Sequence, residues 1–72
     1  MIEKSKFQEQ IGKQVKFLRV KHCLSQSELA RRTNVSRTSI TQLEGNLFMP
    51  TLYFTYKLAS AFNITIDQLI NL

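Results

Sequence analysis

The sequence predicts an all-α fold of five short helices around one core. Three observations carry that prediction. Apolar residues recur three or four positions apart, as in Phe7, Ile11, Val15 and Leu18, which is the spacing of one helix face. Hydroxyl residues suited to helix N-caps (Ser25, Ser36, Thr51 and Thr65) stand just before further stripes of this kind. Among 72 residues, 43% are apolar and only two glycines and one proline occur, a composition that favours packed helices over disorder.

Taken in order, the first helix is expected from about Ser5 to His22. Ser25 then caps a helix over about Gln26 to Thr33, and Glu28 three residues later completes a capping box. Asn34 falls where the chain must turn sharply, and asparagine is among the few residues that tolerate a left-handed backbone. Ser36 caps a third helix from about Arg37 to Glu44, with Gly45 and Asn46 ending it. After the loop through Pro50, Thr51 caps a fourth helix running to Phe62, where Asn63 suits a left-handed end. Thr65 caps a short fifth helix. The expected core is Ile11, Val15, Leu18, Leu24, Leu29, Ala30, Val35, Ile40, Leu43, Leu52, Leu58, Ala59, Phe62, Ile64 and Leu69, with Tyr56 partly buried. No repeat, low-complexity tract or linker interrupts the pattern, so residues 1–72 read as one domain.

Charge narrows the function. The net charge is +5, and nine of the ten basic residues lie in the first 37 positions. An excess of this kind suits a polyanion, since phosphate neutralisation supplies sequence-independent affinity that falls with salt. Lysines that merely solubilise a helix face are the plain alternative. No helix combines a continuous basic face with a large free apolar face, so an anionic membrane is the weaker partner. No apolar run approaches the roughly 18 residues that span a bilayer, and a single cysteine, Cys23, fits a reducing cytoplasm.

The helix pair at about 25–44 is the most informative segment. Once Ile40 and Leu43 face inward, the third helix presents Arg37, Thr38, Thr41 and Gln42 outward. The ordered series Gln26-x-Glu28-Leu29-Ala30, Val35, Ile40, Leu43-Glu44, Pro50-Thr51-Leu52, Lys57-Leu58-Ala59-x-Ala61-Phe62 and Asp67-x-Leu69 closes the pattern. From about Ile11 to Leu69 the chain resembles the helix-turn-helix domains of the phage lambda/434 Cro and repressor type, the XRE family. The resemblance implies a five-helix lambda-repressor-like domain, with helices two and three forming the helix-turn-helix and the third reading double-stranded DNA. The family's usual threonine and leucine in helix four are here Phe54 and Thr55, which leaves the direction of Phe54 open.

Arg37 opens the recognition helix, and arginine paired with guanine is the commonest specific base contact; a phosphate contact is its alternative. Thr38 and Gln42 match family positions that touch base edges, where Gln42 suits adenine and the Thr38 methyl suits thymine. Thr41 is expected to meet base or backbone, and Ser39 either a phosphate or only solvent. Gln26, Ser36, Asn46 and Lys16 are the further phosphate candidates, with Gln26 at a helix N-terminus where backbone N–H groups favour anions. The resemblance also implies that Arg19 and Glu44 form a structural salt bridge.

No arrangement supports catalysis, a cofactor or a bound metal. One His (His22), one Cys and one Asp (Asp67) form neither a histidine–carboxylate pair nor a zinc ligand set, and His22 beside Cys23 reads as a surface imidazole next to a semi-buried thiol. Leu47, Phe48, Met49, Tyr53 and Phe54 are more apolar than a monomer needs. Related small repressors pair through this region and the C-terminal helix, so the resemblance implies a twofold homodimer interface here, with Ile66, Ile70 and Leu72 contributing; the alternative has Phe48 and Phe54 covering the core from outside. The expected whole is a direct, sequence-specific DNA-binding regulator on a palindromic operator, without a small-molecule effector. A protein-interaction module on the same fold is the rival from another class.

Overall fold

The computed structural model describes residues 3–71 and contains α1 (Lys4–Lys21), α2 (Gln26–Thr33), α3 (Arg37–Glu44), α4 (Leu52–Ala61) and α5 (Ile66–Ile70). There is no strand among the described residues, and no helix is long and apolar enough to cross a membrane. Four of the five helices begin with a side-chain cap. Ser25 accepts from the Glu28 N–H, Ser36 from Ser39, Thr51 from Phe54 and Thr65 from Gln68. Each satisfies a backbone donor that has no partner inside its own helix. The boxes at Ser25/Glu28 and Thr65/Gln68 are reciprocal, with the downstream carboxyl or amide oxygen accepting from the cap's own N–H.

Left-handed residues end four segments: Cys23 (φ 58°), Asn34 (φ 56°), Asn46 (φ 63°) and Asn63 (φ 57°). The three asparagines are the ordinary non-glycine occupants of that region. At the α3 terminus Gly45 stays at φ −90° and Asn46 makes the turn. Cys23 departs from expectation, since it is exposed and not semi-buried. Its backbone swings left so that Leu24, the next residue, drops into the core.

α1 packs against α3 and α5, α2 against α3 and α4, and α4 against α5. Their shared core is Ile11, Val15, Leu18, Leu24, Leu29, Ala30, Ile40, Leu43, Leu58, Ala59, Phe62 and Leu69. Val35 and Ile64 are only half buried and pack on its rim. Two other expected members lie outside. Leu52 is 75% exposed and Tyr56 is 55% exposed. Leu52 opens α4, and helical side chains lean toward the N-terminus, so it projects beyond the helix end with nothing to pack on. Tyr56 lies one position off the buried stripe of Thr55, Leu58, Ala59 and Phe62. Thr55 takes the inward place, and its hydroxyl donates to the Thr51 carbonyl (2.9 Å), so no polar atom is left unpaired. Thr33 is buried on the same terms, donating to the Leu29 carbonyl at 2.7 Å.

At Gly12 α1 lies close against the end of α3. A Cβ there would stand 2.6 Å from the Leu43 carbonyl oxygen and 2.9 Å from Asn46 Oδ1. Alanine would favour the helix by up to about 1 kcal/mol, but forcing two packed backbones apart typically costs about 1–3 kcal/mol. Gly12→Ala is therefore expected to lower stability in urea unfolding, and a variant as stable as the parent would contradict the close approach.

Candidate nucleic-acid interface

The α2–α3 unit is assembled by local chemistry. Ser25 starts α2, Asn34 turns the chain left at φ 56°, and the Val35 N–H returns to the Ala30 carbonyl at 3.0 Å. Ser36 then starts α3, its oxygen accepting from the Ser39 N–H at 3.1 Å while the two hydroxyls meet at 2.9 Å. Ile40 and Leu43 are fully buried, which turns their side of α3 to the core. Arg37, Thr38, Thr41 and Gln42 are consequently all exposed. No other described segment covers Arg37 or Gln42, and neither side chain makes an internal hydrogen bond or ion pair among the described residues.

Behind this surface lies a connected polar chain. Arg19, near the end of α1, sets Nε 2.7 Å from Glu44 Oε2 and Nη2 3.1 Å from Glu44 Oε1. This two-pronged pair is largely withdrawn from water, with side-chain exposures of 14% and 6%. Arg19 Nη1 also donates to the Leu24 carbonyl at 2.9 Å. The pairing with Glu44 raises the Arg19 guanidinium above its ordinary pKa, so its charge persists at any practical pH. Glu44 has a second donor, Gln26 Nε2 at 3.2 Å, and Gln26 Oε1 in turn accepts from the Thr41 hydroxyl at 2.9 Å. Arg19, Glu44, Gln26 and Thr41 thus join α1, α2 and α3.

The remaining candidates spread around this centre. Ser36 is exposed and Ser39 half buried, both at the α3 N-terminus. Gln26 is half buried at the α2 N-terminus, its side chain held inside the network while the helix start remains at the surface. Glu28, in the same turn, has its carboxyl held below the ordinary range by the Ser25 backbone N–H that it accepts. Asn46 is exposed just beyond α3, and its carbonyl accepts from Gln8 Nε2 at 2.9 Å. Lys16 is exposed on α1. The Gln26 links to Glu44 and Thr41 escaped the sequence reading. A signal was present, because Arg37, Thr41 and Glu44 recur at i, i+4 and i+7 and so share one stripe of α3.

The apolar candidates divide into two groups. Phe48 and Phe54 stack edge to face, ring centroids 5.1 Å apart, and close the core rim together with half-buried Ile66 and Ile70. Leu47 (78% exposed) and Tyr53 (68% exposed) face solvent, with Leu52 beside Tyr53 in the chain; Met49 is half buried, and Leu72 lies outside the described residues.

The core pair sets a measurable stability expectation. Removing one member leaves the other as an uncompensated buried charge, a loss of roughly 3–5 kcal/mol. Arg19→Met and Glu44→Leu should each lose stability on that scale in urea unfolding, and the double variant should lose clearly less than the two losses added. Single variants within about 1 kcal/mol of the parent would show the pair to be idle.

A helix-turn-helix domain family model matches residues 12–72. An uncharacterized HTH-type transcriptional regulator of Archaeoglobus fulgidus is 38% identical over 55 residues, covering 76% of this chain and 78% of that protein. Among solved structures, a transcriptional regulator of the HTH_3 family from Vibrio cholerae superposes with a TM-score of 0.85 at 31% identity, covering 90% of this chain. This chain spans only 36% of that longer protein. The hypothetical transcription factor NHTF from Neisseria also gives a TM-score of 0.85, at 24% identity and with 97% of this chain and 82% of that one covered, a likeness of fold. The chain belongs to the helix-turn-helix domain family in its XRE-type form.

Proposed function

We propose that this chain is a DNA-binding transcriptional regulator, a repressor or autoregulator, that reads the major groove with α3 and acts directly, without an effector. The observation that carries the reading is the exposed set Arg37, Thr38 and Gln42, held by a helix whose opposite side is locked into the core. A helix of this kind fits the major groove, where each base pair presents its own pattern of donors and acceptors. Arg37 suits guanine and Gln42 suits adenine by paired hydrogen bonds, and the Thr38 methyl suits thymine. The N-termini of α2 and α3, with Gln26, Ser36 and Ser39, suit phosphate, joined by Asn46 and Lys16. Such contacts set register, and the net charge of +5 adds affinity for any duplex.

One α3 reads only a few base pairs, so a second copy extends the site. Residues 1–72 act in this reading as a single domain with the motif at 25–44. Two copies pair through the exposed Leu47 and Tyr53, with Phe48, Met49, Phe54, Ile66, Ile70 and Leu72 as the further members of the pairing surface. The protein works in the cytoplasm on nucleoid DNA and has no catalytic step.

Selecting bound sequences from random duplex DNA tests all of this together. The expected product is an inverted repeat with half-sites one helical turn apart, about 34 Å. On that site Arg37→Ala and Gln42→Ala should each weaken binding about 5-fold to 100-fold, the scale of one paired base contact. Affinity should also fall steeply with salt. No enriched sequence, or variants that bind like the parent, would overturn the reading, and a lone half-site would overturn the dimer.

A further inference from the structure

Thr41 occupies the recognition helix, yet its hydroxyl is bonded to Gln26 on α2. The direction of every bond in its network follows from one fact. A carboxylate can only accept, so the atom of Gln26 lying 3.2 Å from Glu44 Oε1 is the amide nitrogen. Gln26 Oε1 is thereby turned to Thr41, and the Thr41 hydroxyl, 2.9 Å away, is the donor. Arg19 holds Glu44 in place through two further bonds. The Thr41 proton is thus directed to Gln26 on α2, within the protein's own hydrogen-bond network. Around α3, Thr41 shares its stripe with Glu44, while Thr38 and Gln42 form the adjacent one.

We propose that Thr41 is a positioning residue: by bonding to Gln26, it fixes the roll of α3 relative to the α2 N-terminus, and so sets how Thr38 and Gln42 meet the bases. This rests on the DNA-binding reading above. Gln26 is the hinge of the device, because its amide bridges the buried Arg19–Glu44 pair and the outer half of the recognition helix. The register of α2 on a phosphate and the aim of α3 at the bases then become one geometric unit. Loss of the link frees α3 to rock by the small amounts that decide whether a paired base contact forms.

The test compares affinity for the selected site with affinity for single-base variants of it, in the parent, Thr41→Val, Thr41→Ser, Gln26→Met and the Thr41→Val/Gln26→Met double variant. Thermal unfolding of each confirms folding. Thr41→Val is expected to cut discrimination about threefold to tenfold at the positions that Thr38 and Gln42 touch, with binding to unrelated duplex unchanged; Thr41→Ser restores it. Gln26→Met should reproduce the loss of discrimination, and the double variant should be no worse than the poorer single one. A phosphate bond made by Gln26 is common to every duplex and cancels from this ratio. Full discrimination in Thr41→Val, loss confined to one base position read by no other side chain, or losses that simply add would each overturn the inference. Failure of the parent to enrich any sequence would instead sink the DNA reading beneath it.

Discussion

Among the described residues, Glu44 is the one carboxylate on which three helices converge. It takes two bonds from Arg19 on α1 and one from Gln26 on α2, and it is itself the last residue of α3. Hydrophobic burial is non-directional and would accept several rotations of α3 on the core. A buried ion pair with fixed prongs would not, because any displacement leaves desolvated charge unpaired. The apolar stripe of Ile40 and Leu43 therefore holds α3 on the core, while Glu44 selects one orientation of it. What faces outward, Arg37, Thr38 and Gln42, is the complement of those two constraints.

The same economy appears in the connections. With two glycines in the chain, neither at positive φ, the turns are made by asparagine and one cysteine in left-handed geometry. Gly12 serves another purpose, letting α1 lie almost on the α3 backbone near Leu43 and Asn46. That proximity brings α1 close enough for Arg19, two turns further along, to reach Glu44. The small core and the polar clamp are consequently parts of one arrangement, in which close backbone approach permits the ion pair and the ion pair aligns the exposed helix.

Features governed by neighbours in the chain were legible in the sequence. The α2 and α3 limits, their serine caps, the box at Glu28 and the left-handed Asn34 all follow from side chains within four residues of one another. Most core positions follow from helical spacing as well. Leu52 and Cys23 did not, because their exposure depends on where a helix starts or stops, and Tyr56 did not, because the polar Thr55 beside it takes the inward place. Leu52 has the right phase but stands at a helix start, and Cys23 carries no residue type that signals a left-handed turn. The outward side of α3 was equally legible, but the bond from Thr41 to Gln26 requires the angle between two helices, which periodicity does not contain.

All of this reduces to one claim, that the solvent side of a clamped α3, flanked by two helix N-termini, is where nucleic acid sits. The most direct measurement is the change in backbone amide resonances as duplex DNA of the selected sequence is titrated into the protein. The account requires the large changes to fall on Lys16, on Gln26 and Ser27, on residues 36–42 and on Asn46, with α5 nearly silent. Changes centred on α5, or on none of these groups, would contradict it.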